Sequence, residues 1–293
     1  MNLAANSDFQ PQLWLNGDFN PLSQAAISPL DRGFTFGDGL FETLRAQEGR
    51  ALFLEEHLAR FRASARFLCL PLAEEPPWPA IIGELLLRNR LQEGLARVKI
   101  MLTRGVAPEL CLPMPDCPTL LVTAQAYTPP APEVYQAGWR LPVFRGGTAP
   151  VLAGHKSLSY LFYLWARQQA IEAGGQEALI LDQDGLVAET ALGSLLCCQD
   201  GRWWTPRSTS QLPGITFGRM RHILVKDGHQ VEERAACPQD LLSCPTVWVL
   251  NSLMGIMPVS HIDGQALAEP LPELAEAYRQ CLWLGVPCWA YTG

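Results

Sequence analysis

Lysine is nearly missing from this chain. Of 293 residues, 22 are Lys or Arg, yet lysine stands only at Lys99, Lys156 and Lys226. Charged residues make up 17%, below the usual share of about a quarter, and the formal net charge is -7. The few cations are scattered, so a nucleic-acid binder is not expected. No run of about 20 apolar residues occurs, so no membrane span is expected. The opening MNLAANSDFQPQLWLNGDFN has neither a basic head nor an apolar stretch, and does not read as a secretory signal. The nine cysteines are an odd set with no Cys-x-x-Cys spacing. Free thiols in a reducing cytoplasm fit them better than a disulfide framework or a metal site. There is no internal repeat and no low-complexity tract.

What is present is apolar residue in quantity, 48% of the chain. That suffices for a large core, and the length favours two domains. The first, residues 1–127, opens with a strand over Gln12 to Leu15 closed by Asn16-Gly17-Asp18. "FETLRAQ" alternates as a strand, "EGR" turns and "ALFL" returns. From Glu55 the period becomes helical, with Leu58, Phe61, Ala65 and Leu68 on one face. A helix over Pro79 to Asn89 precedes the strands "RVKIMLTRG" and "TLLVTAQAY". Residues 128–133, "TPPAPE", read as a linker. The second domain, 134–293, holds several strand runs parted by Asp184-Gly185 and Asp200-Gly201, strong hairpin signals. The class is α+β, mostly antiparallel sheet with packed helices.

Lys226 reads as a solvated charge at a helix end. Lys99 alternates with Val98, Ile100 and Leu102 and so points away from their face. Lys156 lies in "VLAGHKSLSYLFYLWARQQA", between a small apolar loop and an aromatic-rich helix. Leu158, Leu161, Phe162 and Trp165 are spaced as its buried face. A lysine at the helix start meets an unfavourable dipole and apolar neighbours. Both favour the neutral amine, which serves as nucleophile and base. A buried structural pairing remains the alternative on these grounds.

Seven segments occur in one order: "DRGFTFGDGLFETLR", "FLEEHLARF", "RVKIMLTRG", "HKSLSYL", "EALILDQDGLVAE", "TPRSTSQLPGIT" and "NSLMGIMPV". Together they resemble the class IV aminotransferase family, pyridoxal phosphate enzymes of fold type IV, across nearly the whole chain. The resemblance places the cofactor-carrying lysine at Lys156 and the partner of the pyridine nitrogen at Glu189. It places the cofactor phosphate on Ile215 and Thr216, with Asn251 and Ser252 completing the cup and Arg60 as phosphate arginine. Read alone, Arg60 is an exposed helix charge and "LPGIT" an ordinary helix start. The chain has Ser194 and Leu196 where family members often have Asn-x-Phe.

Within the family, D-amino acid aminotransferases carry an Arg-x-His carboxylate trap after "TRG"; here the positions are Glu109 and Cys111. Both aminotransferase groups tend to have tyrosine at the position of Phe41. "NSLMGIMPV" is similar to the lyase form of that loop. The resemblance thus implies a 4-amino-4-deoxychorismate lyase that releases pyruvate and 4-aminobenzoate, a folate precursor. The alternatives are a D-amino acid or branched-chain aminotransferase, or a non-catalytic binding module. Lys99, then Arg104 and Arg145, are the candidates for the substrate carboxylates; the two arginines read equally as salt-bridge partners. A homodimer is implied by the resemblance alone.

Overall fold

The computed structural model describes residues 9–284 apart from Pro71, Ala73 and Glu269. The chain divides into two compact units. Unit 1 is Met1–Thr128 together with Ser157–Ser159, and unit 2 is Pro129–Lys156 with Tyr160–Gly293. The break falls at Thr128. The end of the expected linker is already structured, because Pro132, at home in a helix's first turn, starts α4 (Pro132–Ala137).

Unit 1 is built on six strands: β1 (Gln12–Leu15), β2 (Asp18–Pro21), β3 (Gly39–Gln47), β4 (Arg50–Ala51), β5 (Leu95–Thr103) and β6 (Thr119–Ala126). Their order is β2-β1-β6-β5-β3-β4, every pair antiparallel. A short helix, α1 (Arg32–Phe36), precedes β3. Helices α2 (Leu54–Phe67) and α3 (Trp78–Arg88) supply the rest of the core. Leu58, Phe61, Ala65 and Leu68 are buried, as their spacing predicts, and join Leu44, Val98 and Ile100 of the sheet. Each large side chain so buried stabilises the unit by about 1.5–3 kcal/mol. The expected return strand "ALFL" shrinks to two residues because α2 begins at Leu54.

Unit 2 carries a larger sheet. Its strands are β7 (Trp139–Leu141), β10 (Ser194–Gln199), β11 (Arg202–Pro206), β12 (Val231–Arg234), β13 (Thr246–Asn251), β14 (Gly255–Ile262) and β15 (Gln265–Ala266). They run in the order β12-β11-β10-β13-β14-β15, with β7 beside β14. Among the described strands, β11–β12 and β7–β14 pair in parallel. A separate hairpin, β8 (Leu179–Leu181) and β9 (Val187–Thr190), turns through Asp184-Gly185. The remaining helices are α5 (Leu161–Glu172), α6 (Ile215–Lys226), α7 (Pro238–Leu242) and α8 (Pro272–Leu284). No described helix is long and apolar enough to cross a membrane.

Two expectations about α5 fail together. The helix starts at Leu161, five residues after Lys156, which lies half-buried in a loop. The dipole argument therefore does not act on Lys156. The buried face is Tyr163, Ala166 and Ala170; Leu161 is 76% exposed and Trp165 47%. Small residues sit against the β8–β9 hairpin because Ala166 and Ala170 let the backbones approach, with Ala178, Ile180 and Ala191 opposite.

Candidate active site

In unit 2, β9 brings Glu189 into the interior, where it is 6% exposed. Two donors reach its carboxylate. The Tyr163 hydroxyl donates to Oε1 at 2.9 Å, and the Leu212 backbone N–H donates to Oε2 at 3.1 Å. The Leu212 loop is itself pinned, since Ser208 donates to Asp182 at 2.7 Å. Tyr160 stacks on Tyr163 with centroids 4.8 Å apart, and the Lys156 ammonium lies 5.4 Å from the Tyr160 ring centroid. Lys156 and Glu189 are thus joined through two tyrosines one helical turn apart. Both tyrosines stand in "HKSLSYLFYL", but only the helix start shows that Tyr163 faces the carboxylate.

Three residues after Leu212, helix α6 begins. Gly214 caps it without a side chain, and a Cβ there would sit 2.2 Å from the Ser194 hydroxyl. The small residue lets β10 close onto the first turn. The first amides of a helix lack intrahelical acceptors and favour an anion. Thr216 is buried in this turn, and its hydroxyl lies 3.4 Å from that of Ser252. Asn251 ends β13 just before Ser252. Its side-chain oxygen accepts from the backbone N–H of Leu253 and Met254, so it shapes the turn that presents Ser252. The chain from Leu212 to Ile215 spans at most about 10 Å. Amine, acid and anion cup therefore lie on the scale of one pyridoxal phosphate molecule, and these residues fit that group.

A second buried acid, Glu177, lies beside the same hairpin. Its Oε1 accepts from the amides of Ala178 and Ala191, and Arg167 Nε stands 3.7 Å from Oε2. Burial pushes its pKa up to about 7 despite those amides and Arg167. Nothing in the sequence singled it out.

Unit 1 holds the other candidates. Lys99 lies on the outward face of β5, paired with Thr43 and Thr123, its ammonium 4.7 Å from the Phe41 ring centroid. Burial and then the Arg97 charge lower its pKa. Arg60 is not the exposed charge it resembles when read alone; its side chain is 9% exposed. It grips Glu42 through Nε at 2.8 Å and a terminal nitrogen at 2.7 Å, while His57 Nδ1 lies 2.7 Å from the same acid.

The two arginine candidates for substrate are both engaged within the chain. Arg104 is fully buried, donates to both oxygens of Asp38, and donates to the carbonyls of Leu68, Cys69 and Pro113. With those bonds made, its guanidinium has no donor left for a ligand. Arg32 shares Asp38 and donates to the carbonyls of Glu109 and Cys111, so the pair fixes the loop after "TRG". Arg145 is exposed and bound to Asp263 at 2.7 Å.

The class IV amino-transferase model matches residues 39–262. The chain belongs to the class IV aminotransferase family. A D-alanine aminotransferase of Bacillus licheniformis is 29% identical, covering 88% of this chain and 90% of that protein. An aminodeoxychorismate lyase of Vibrio harveyi is 28% identical, covering 86% and 91%. A Methanocaldococcus jannaschii protein provisionally assigned as a branched-chain-amino-acid aminotransferase is 32% identical, covering 87% and 89%. Among solved structures, a branched-chain amino acid aminotransferase from T.th., with pyridoxamine 5'-phosphate, superposes with TM-score 0.85 at 24% identity, covering 94% and 93%. The fold is type IV, and the family's cofactor is pyridoxal phosphate.

Proposed function

We propose that this family member is a 4-amino-4-deoxychorismate lyase, which eliminates pyruvate and leaves 4-aminobenzoate. The observation that carries the reading is the basic setting of Lys99 on the sheet, beside Arg97. Its cross-strand neighbours Thr43 and Thr123, and the adjacent Arg45–Arg97 pair, include no carboxylate. A partly desolvated cation beside like charges gains by taking an anion, as a dicarboxylate substrate offers. Glu109 and Cys111, in place of a cationic trap, give no help to a small amino acid's carboxylate.

Each residue has a task under this reading. Pyridoxal phosphate, when bound, supplies the electron sink. Lys156 carries it, then removes the proton from the carbon bearing the substrate nitrogen and returns a proton to the departing pyruvate fragment. Glu189 pairs with the ring nitrogen. The first amides of α6, with Thr216 and Ser252, hold the phosphate. The protein is proposed to act as a homodimer in the cytoplasm, on a small-molecule substrate.

A second reading, a D-amino acid or branched-chain aminotransferase, draws support from relatives at 29% and 32% identity. The two differ in one requirement: a lyase needs no keto-acid acceptor. Purified protein given aminodeoxychorismate alone should release equal amounts of 4-aminobenzoate and pyruvate over many turnovers. Indifference to that substrate, with steady conversion of D-alanine or L-leucine by 2-oxoglutarate, would establish the second reading instead.

A further inference from the structure

We propose that Tyr163 is a positioning residue whose hydroxyl keeps negative charge on Glu189, so that the proton between this acid and the cofactor's pyridine nitrogen stays on the nitrogen. The inference rests on Glu189 being the pyridine partner; it does not depend on the choice between lyase and transaminase.

The geometry is that of a fixed donor. Tyr163 is buried, stacks on Tyr160 and meets Phe162 edge-on at 5.3 Å. Tyr160 is anchored in turn, its hydroxyl donating to the Ala191 carbonyl at 2.7 Å. Burial first, then the Glu189 charge, raise the Tyr163 pKa, so the hydroxyl remains a donor throughout the working range. Its hydrogen points at Oε1 while the Leu212 amide occupies Oε2. A carboxylate has about four lone-pair sites, so it can accept more than these two bonds.

In a pyridine–carboxylic acid pair, one proton can rest on nitrogen, giving two charges, or on oxygen, giving none. Burial alone favours the neutral arrangement. Hydrogen bonds donated to the carboxylate favour the charged one. Two such donors converge on Glu189, and Tyr163 is the one that a substitution can remove. The charged and titratable groups around the hairpin include Arg167, also on α5, Glu177, which adjoins β8, Asp182 and Asp184 in its turn, and Tyr160 and Lys156 on the Tyr163 side. The same helix thus sends a hydrogen-bond donor to Glu189 and a charge, at 3.7 Å, toward Glu177. A protonated ring nitrogen is the stronger electron sink, so Tyr163 sets the cofactor's reactivity without touching it.

The test uses holoenzyme loaded with pyridoxal phosphate labelled with 15N in the ring. In the unmodified protein the nitrogen resonance should report a protonated ring. Tyr163→Phe retains the ring stacking and removes only the hydroxyl. It should move the resonance toward the unprotonated position and lower the pH at which the ring loses its proton by about one to two units. Glu189→Gln should give an unprotonated ring across the range. If Glu189→Gln does so and Tyr163→Phe leaves the resonance and its titration unchanged, the role of Tyr163 is refuted. If Glu189→Gln itself leaves the ring protonated, the reading of Glu189 fails first. Should Tyr163→Phe not fold, 3-fluorotyrosine at position 163 keeps the shape and donates more strongly. It should shift the titration upward, and no shift would overturn the proposal.

Discussion

Glu42 is 1% exposed, yet Arg60 and His57 both lie against its carboxylate. Burial raises its pKa, but the Arg60 charge and the bonds from His57 and Arg60 outweigh this and hold it at about 2. A folded-state pKa below the unfolded value of about 4.5 gives stability that is full above the latter and lost as pH falls toward 2. Glu42→Gln should flatten that acid arm in urea titrations. It should also cost about 3–5 kcal/mol, because the ion pair between buried Glu42 and Arg60 would lose one charge. Glu177 works in the opposite sense. Its pKa is raised to about 7, so the folded state keeps a proton that the unfolded chain gives up. Stability therefore declines as pH rises from about 4.5 to 7. Glu177→Gln should remove that decline, and a stability curve unchanged over this window would show that burial does not raise this acid. Lys99→Met is expected to raise the apparent substrate constant at least tenfold, the loss of a charge-assisted bond. The cofactor absorbance should be unaltered. An unchanged constant would move the carboxylate site elsewhere, though not to Arg104.

Helix α5 shows how an element boundary decides a site. The apolar spacing in "SLSYLFYLWARQQA" supports more than one register, and the start at Leu161 turns Tyr163 inward while leaving Leu161 outside. Tertiary context selects the face whose small residues, Ala166 and Ala170, allow close approach to the hairpin. Lys156 stays outside the helix on a loop. Lys156→Ala should therefore leave the far-ultraviolet circular dichroism intact and abolish the visible absorbance of attached cofactor. Borohydride reduction of the unmodified holoenzyme, followed by peptide mapping, should find the pyridoxyl label at Lys156. A label at Lys99 or Lys226 would sink the mechanism.

At the scale of the whole molecule, unit 2 leaves Val151, Leu161 and Leu164 exposed, and unit 1 leaves Phe34, Phe36 and Leu110 exposed. Such large apolar groups on a surface are the kind that association covers. Light scattering of the purified protein should give twice the chain mass of 32.3 kDa, the result expected of the proposed homodimer. A single-chain mass at micromolar concentration would remove the dimer from the reading.

Local chemistry made much of this protein legible in its sequence alone. Alternation marked β3 and β5, the helical period marked the buried face of α2, and Asn-Gly and Asp-Gly marked turns, since each depends on neighbours in the chain. The ordered motifs brought out the family and the residues Lys156, Glu189 and Thr216. Tertiary structure decided what depends on partners far apart in sequence. Arg104 reads equally as a ligand's cation and as a salt-bridge partner until Asp38 and three carbonyls take its donors. Arg60 reads as a surface charge until Glu42, eighteen residues before it, meets it in the core. Tyr163 reads as packing until β9 brings Glu189 to its hydroxyl. A side chain's charge and hydrogen-bond capacity are written in its own chemistry, but whether that capacity is spent on the fold or kept for a ligand is fixed only when the chain closes around it.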